Sequence, residues 1–156
     1  MKNRPRVHEM PSKPAAELPR PFIVVADDEK RIADTLVLIL KSKGYAAQAA
    51  HDGASALAIC RQNVPDLVVS DVVMPGMNGI ELAIAIRRQF PGCHILLFSG
   101  QAETMEILED AKRRGYDFEL LAKPLHPEEL LARIEKLIGP KNPRQRLGRW
   151  WGKGHG

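Results

Sequence analysis

Between residues 22 and 139 the chain alternates short, continuously apolar runs with longer segments whose apolar positions recur every three or four residues. The apolar runs are FIVVA (22–26), the weaker YAAQAA (45–50), DLVVS (66–70), HILLFS (94–99) and FELLA (118–122). Each has the length of a strand, and the strongest carry too few polar residues to leave one face in water. In RIADTLVLILKSKG, Ile32, Leu36, Ile39 and Leu40 fall at helical spacing, with Gly44 as the stop. The same period returns in GASALAICRQN (53–63), where Asp52 is placed to cap, and in GIELAIAIRRQF (79–90), ahead of Pro91 and Gly92. It returns again in AETMEILEDAKRRG (102–115) and in HPEELLARIEKLIG (126–139), with Pro127 in the opening turn. Five strand–helix units in alternation predict an α/β fold, a parallel sheet covered by helices on both faces.

Crossovers in such a sheet are right-handed, and ligands gather outside the carboxyl ends of the strands. That rule collects residues far apart in sequence. Asp27 and Asp28 follow the first strand, Asp71 the third, Ser99 the fourth and Lys123 the fifth. Adjacent carboxylates repel one another unless a cation neutralises them. With Asp71 they form a hard oxygen set of the kind Mg²⁺ takes, an ion that keeps several waters and is often completed by a phosphate oxygen. Singly, Asp27 or Asp28 reads as a cap for the helix that begins near Lys30, and Glu29 as a first-turn acid complementing the helix dipole. Asp71, before the Pro75–Gly76 turn, reads alone as a turn or cap residue, a metal ligand or a nucleophile. A carboxylate can attack phosphorus and form an acyl phosphate, given a metal and a cation for the incoming oxygens. Lys123 can supply that cation and Ser99 a hydroxyl donor.

The ordered set VVADDE, DLVVSDVVMPGMNGIEL, ILLFSG and LLAKPL resembles the receiver domain of bacterial two-component response regulators, over roughly residues 20–138. The resemblance implies a flavodoxin-like (βα)5 doubly wound sheet with strand order 2-1-3-4-5. It implies that Asp71 accepts a phosphoryl group from a histidine kinase or histidine phosphotransfer protein. Asp28, Asp71 and the backbone carbonyl of Val73 would ligate Mg²⁺ (or Mn²⁺) directly, and Asp27 through water. Lys123 would pair with the phosphoryl group and Ser99 would swing toward it. Val73 and Gln101 would tune hydrolysis, and the Lys123–Pro124 bond matches one that is usually cis, with Pro124 as the cis residue. Met74, Pro75, Gly76 and Gly79 would shape the acceptor loop. Output would leave through the fourth helix, fifth strand and fifth helix, roughly residues 102–138. Three residues before Lys123, where the family often carries a switching Tyr or Phe, this chain has Leu120, leaving Phe118 or Tyr116 as candidates for that space.

Composition and charge adjust this picture at the ends. Residues 1–21 carry five Lys/Arg against two Glu and are broken by five prolines; residues 139–156 carry five Lys/Arg and no acid. The remainder is net acidic, so the overall charge of +4 belongs to the ends rather than to a basic face of the domain. The expected organisation is a Pro-rich leader over 1–20, a receiver domain over 21–139 and a basic tail over 140–156 that contains Trp150 and Trp151. The tail is too short for a helix-turn-helix domain, which points to a stand-alone regulator whose output is a partner protein or a homodimer. No segment has the ~20 consecutive apolar residues of a membrane span, and the leader lacks a signal-peptide core, so a cytoplasmic protein is expected. Cys60 and Cys93 lack metal-ligand spacing and read as buried, reduced thiols. Two further readings compete. A Mg²⁺-dependent aspartyl-phosphate phosphohydrolase would need an acid two residues beyond Asp71, where Val73 stands. A nucleic-acid binder would have to act through the basic tails alone. On balance the chain is expected to be a signalling phosphoacceptor and not an enzyme.

Overall fold

The computed structural model of the protein describes residues 19–100 and 104–139. The tail, Gln101 and nearly all of the leader therefore lie outside the described residues. Ten elements alternate along the chain: β1 (Phe22–Ala26), α1 (Lys30–Ser42), β2 (Ala46–Ala50), α2 (Gly53–Gln62), β3 (Leu67–Asp71), α3 (Gly79–Gln89), β4 (His94–Ser99), α4 (Thr104–Arg113), β5 (Glu119–Ala122) and α5 (Pro127–Ile138). Three strands start one residue later than the apolar runs do, each for a local reason. Tyr45 closes the end of α1, its amide donating to the Leu40 carbonyl at 3.1 Å. Asp66 turns its carboxylate onto the Phe22 amide at 2.8 Å, and Phe118 stacks on Tyr116 ahead of β5.

The five strands are parallel in the order β2-β1-β3-β4-β5. Alternate residues face opposite helix layers, and both layers are apolar, which is why the strands read as unbroken apolar runs. Ile23, Val25, Leu67, Val69, Leu96 and Phe98 pack with α1 and α5 through Leu36, Leu40, Leu130 and Ile134. Val24, Ala26, Val68, Ile95 and Leu97 pack with α2, α3 and α4. Every residue of central β3 is buried. Truncating one of these full-buried side chains, such as Leu96, to Ala costs about 2–5 kcal/mol. Cys60 and Cys93 are free thiols in the second layer, and burial pushes them up to about 11 and about 12, so they are inert packing groups.

Helix starts are set by side chains. Asp52 caps α2 as expected, accepting from the Ser55 amide at 2.7 Å. Asn78 opens α3 with a full capping box: it accepts from the Glu81 amide at 2.8 Å, while Glu81 accepts from the Asn78 amide at 2.9 Å. At α1 the expectation is corrected. Glu29 is itself the N-cap residue and makes no side-chain cap bond; Asp27 Oδ1 instead accepts from the Glu29 amide at 2.9 Å. Among the described residues, no helix is long and apolar enough to cross a membrane.

Candidate functional site

β1 and β3 are neighbours in the sheet, with Ala26 opposite Ser70, so the residues at their carboxyl ends come side by side. Asp27 continues from β1 and is held by its amide, which donates to the Ala50 carbonyl at 3.1 Å. It is 0% exposed, and Oδ2 is buried without a hydrogen-bond partner among the described residues. Burial pushes its carboxyl up to about 6; the Glu29 amide opposes that shift, and the Asp71 charge reinforces it. Asp28, beside it, is exposed.

Asp71 is the last residue of β3 and only 5% exposed. One oxygen, Oδ2, accepts from Lys123 Nζ at 3.1 Å; the other, Oδ1, accepts from the Val73 amide at 3.3 Å. Lys123 follows β5 and reaches Asp71 past the end of β4, where its Nζ sits 5.4 Å from the centre of the Phe98 ring. Val72 anchors the acceptor loop through two backbone bonds, donating to Phe98 and accepting from Gly79 at 2.8 Å. Position 79 has to be glycine: a Cβ there would collide with the Asp71 carbonyl oxygen and lie 2.8 Å from Val72 Cα. The MPGMNG loop is thus pressed against the backbone of the acid it follows.

One carboxylate oxygen from each of Asp27, Asp28 and Asp71 lies within 4.8 Å of the other two. Three acids so close, one with an orphaned buried oxygen, form a donor set that suits a hard divalent cation. Asp28 and Asp71 border a cavity of about 420 Å³ that is also lined by Glu29, Val73, Ser99, Gly100 and Lys123. Val73 is 41% exposed at its mouth. Ser99 ends β4 on the cavity wall, and the Lys123–Pro124 bond is cis. Strand ends therefore bring together Asp27, Asp28, Asp71, Val73, Ser99 and Lys123. Gln101 lies outside the described residues.

The aromatic candidates fall elsewhere. Tyr116 and Phe118 precede β5 at the opposite edge of the sheet, stacked with ring centres 6.1 Å apart. Arg88 Nε donates to the Tyr116 hydroxyl at 2.9 Å, and the Arg87 guanidinium lies 4.9 Å from the Phe118 ring centre. Neither ring lies among the residues lining the acidic cavity, and Leu120 in β5 sits opposite Leu97. Two residues at the site had no signal strong enough to single them out. Phe98 looked like any strand residue. Thr104, 1% exposed, shares a 2.7 Å hydrogen bond with the Ser99 hydroxyl.

The model of the response regulator receiver domain family matches residues 23–135. The DNA-binding response regulators MtrA of Mycolicibacterium paratuberculosis and Mycobacterium leprae are each 32% identical over 115 residues, 74% of this chain and 50% of theirs. The chain therefore spans about half the length of these curated relatives. Among solved structures, the Vibrio cholerae chemotaxis protein CheY4 superposes with a TM-score of 0.68 at 29% identity, covering 76% of this chain and 99% of that one. The receiver domain of NtrX from Brucella abortus gives 0.65 at 31%, covering 74% and 97%. Sheet order, the acid cluster at the strand ends and these likenesses agree, and the chain belongs to the response regulator receiver domain family.

Proposed function

We propose that this chain is a signalling phosphoacceptor in which Asp71 takes a phosphoryl group from a phosphohistidine on a histidine kinase or phosphotransfer protein. The observation that carries this reading is the state of Asp71: nearly buried, 3.1 Å from one ammonium and grouped with two further acids beside a solvent-reachable cavity. An Asp71 oxygen attacks phosphorus as the P–N bond to the donor imidazole breaks, and the imidazole keeps the electron pair and takes up a proton. Lys123, already on Oδ2, stays within reach of the equatorial oxygens and stabilises charge gathering there. The three acids would hold Mg²⁺, which when bound supplies neutralisation of the phosphoryl oxygens and of the acids themselves.

The surface beside Asp71 supports this reading. A groove of about 710 Å³ runs beside the acid cavity between α1 and the start of α5, and the two share Glu29, Gly100 and Lys123. Its floor is apolar (Ile32, Leu36, Ile39, Phe98 and Leu125) and its rim carries Glu29, Arg31 and Lys123. That chemistry suits an amphipathic helix presenting a phosphohistidine to Asp71. The chain is not a turnover enzyme in this reading. Its product is its own modified state, read by a partner on α4, β5 and α5. DNA binding is named for the MtrA relatives, whose length is half outside the match.

Incubating the full chain with Mg²⁺ and a small phosphodonor should add about 80 Da, one phosphoryl group, as an acid-stable, base-labile adduct. Asp71→Asn should remove the adduct while leaving the fold intact. An unaltered chain that binds Mg²⁺ yet never labels would overturn the proposal.

A further inference from the structure

We infer that Thr104 is a positioning residue, its hydroxyl restraining Ser99 and tying the state of the acid cavity to the first turn of α4. The inference rests on the phosphoacceptor reading of Asp71 and goes beyond it in naming the link through which the modified site moves a helix. Ser99 lines the cavity that holds Asp71 and Lys123. Its Oγ lies 2.7 Å from Thr104 Oγ1, in a bond where either hydroxyl can donate, and both residues are buried.

A phosphoryl group offers acceptors only, so a serine that turns to meet it must commit its single proton there. Where Ser99 donates to Thr104 that proton is withdrawn, and where Thr104 donates the turn of Ser99 carries its oxygen out of the 2.7 Å contact; either way a Thr104 hydroxyl on a residue 1% exposed loses this partner. Leaving such a group unsatisfied is unfavourable, so the first turn of α4 moves to rehydrate or re-pair it. That turn is lightly held. Among the described residues of α4, only Thr104 and Ala111 are fully buried, and Met105 beside Thr104 is exposed. Between them Ile107 and Leu108 pack half-buried against the core, and the attachment nearest the site is a hydrogen bond to the residue that must move. Leu120 carries no hydroxyl and Tyr116 is bonded to Arg88 at the far edge, so neither can serve this purpose. The restraint is reciprocal: a partner that holds the first turn of α4 in its present position opposes phosphorylation, and one that favours its release promotes it.

The test uses beryllofluoride with Mg²⁺ as the phosphoryl mimic on the full chain. Thr104→Val, which removes the competing hydroxyl without changing the branching, should bind the mimic about fivefold more tightly, the value of one net hydrogen bond. Thr104→Ser should match the unaltered chain. In a Ser99→Ala background, Thr104→Val should change nothing, because its partner is gone. In the unaltered chain, the mimic should speed amide exchange at residues 104–107. Equal affinity for Thr104→Val and the unaltered chain, tightening that persists without the Ser99 hydroxyl, or unchanged exchange on binding would each overturn the inference. Failure of the unaltered chain to bind the mimic at all would overturn the Asp71 reading with it, a result distinct from the other three.

Discussion

Lys123 Nζ lies 3.1 Å from Asp71 Oδ2, joining residues 52 positions apart across the end of an intervening strand. The pair combines an almost buried carboxylate with a partly exposed ammonium. A lysine so placed is already aligned for charge that arrives on Asp71, and its service requires no rebuilding of the site. Lys123→Gln should therefore slow labelling of Asp71 by about a hundredfold, in line with loss of one preorganised donor. The time course of the adduct by intact mass measures this, and a rate within threefold or so of the unaltered chain would remove Lys123 from the chemistry.

The Asp27 carboxyl sits at about 6 in the folded chain against 3.8 for an ordinary aspartate. The folded state therefore binds this proton more tightly than the unfolded state does. Its contribution to stability is greatest below 3.8, falls as pH rises through the window to about 6, and stays at its lowest above that. In EDTA at pH 7.5, Asp27→Asn should be more stable than the unaltered chain, by at most about 3 kcal/mol, and the gap should close near pH 4. Urea unfolding at the two pH values reads the difference. Mg²⁺ at pH 7.5 should stabilise the unaltered chain more than the variant.

Gly79→Ala forces a methyl into the Asp71 carbonyl oxygen and against Val72 Cα. Both neighbouring contacts are backbone atoms that cannot rotate away, so the loop has to shift. A loss of about 3 kcal/mol in urea unfolding is expected, together with slower labelling of Asp71. Gly92→Ala is the control, since a Cβ there meets nothing within 4 Å, and it should be near neutral.

Tyr116→Phe removes the hydroxyl that accepts from Arg88 at 2.9 Å. The cost should be about 1 kcal/mol or less at this exposed pair. Labelling of Asp71 and the response of α4 to beryllofluoride should not change. An altered response would mean that the far edge of the sheet senses the phosphoryl group after all.

Much of this was legible in the chain because a sheet buried on both faces leaves a plain record. FIVVA, DLVVS and HILLFS read as strands because no alternate residue had to be polar, and a parallel order then fixed which residues share an edge. The gathering of Asp27, Asp28, Asp71, Ser99 and Lys123 at one edge follows from strand ends, whereas Val73, Gln101 and Pro124 enter only through the family resemblance. What could not be read depends on side-chain directions. Asp66 and Tyr45 look like strand residues until their bonds to Phe22 and Leu40 are seen. Tyr116 and Phe118 were near enough in sequence to be candidates for the space beside Leu120, but the turn before β5 hands them to Arg87 and Arg88. The Asn78–Glu81 capping box has a readable Asn-x-x-Glu spacing, but the helical period alone places the start at Gly79 without it. Thr104 gave no signal, since a threonine near a helix start has many uses and only the 2.7 Å bond selects one.

The two helix layers have a consequence for traffic on the molecule. The groove beside Lys123 belongs to the α1–α5 side of the sheet, whereas α4 packs with α2 and α3 on the other side. A visitor seated in the groove leaves the exposed side of α4 uncovered. In the proposed reading a donor in the groove would cover the start of α5 and leave α4 open, so a partner that docks on α4 alone could meet the protein while its donor is still seated.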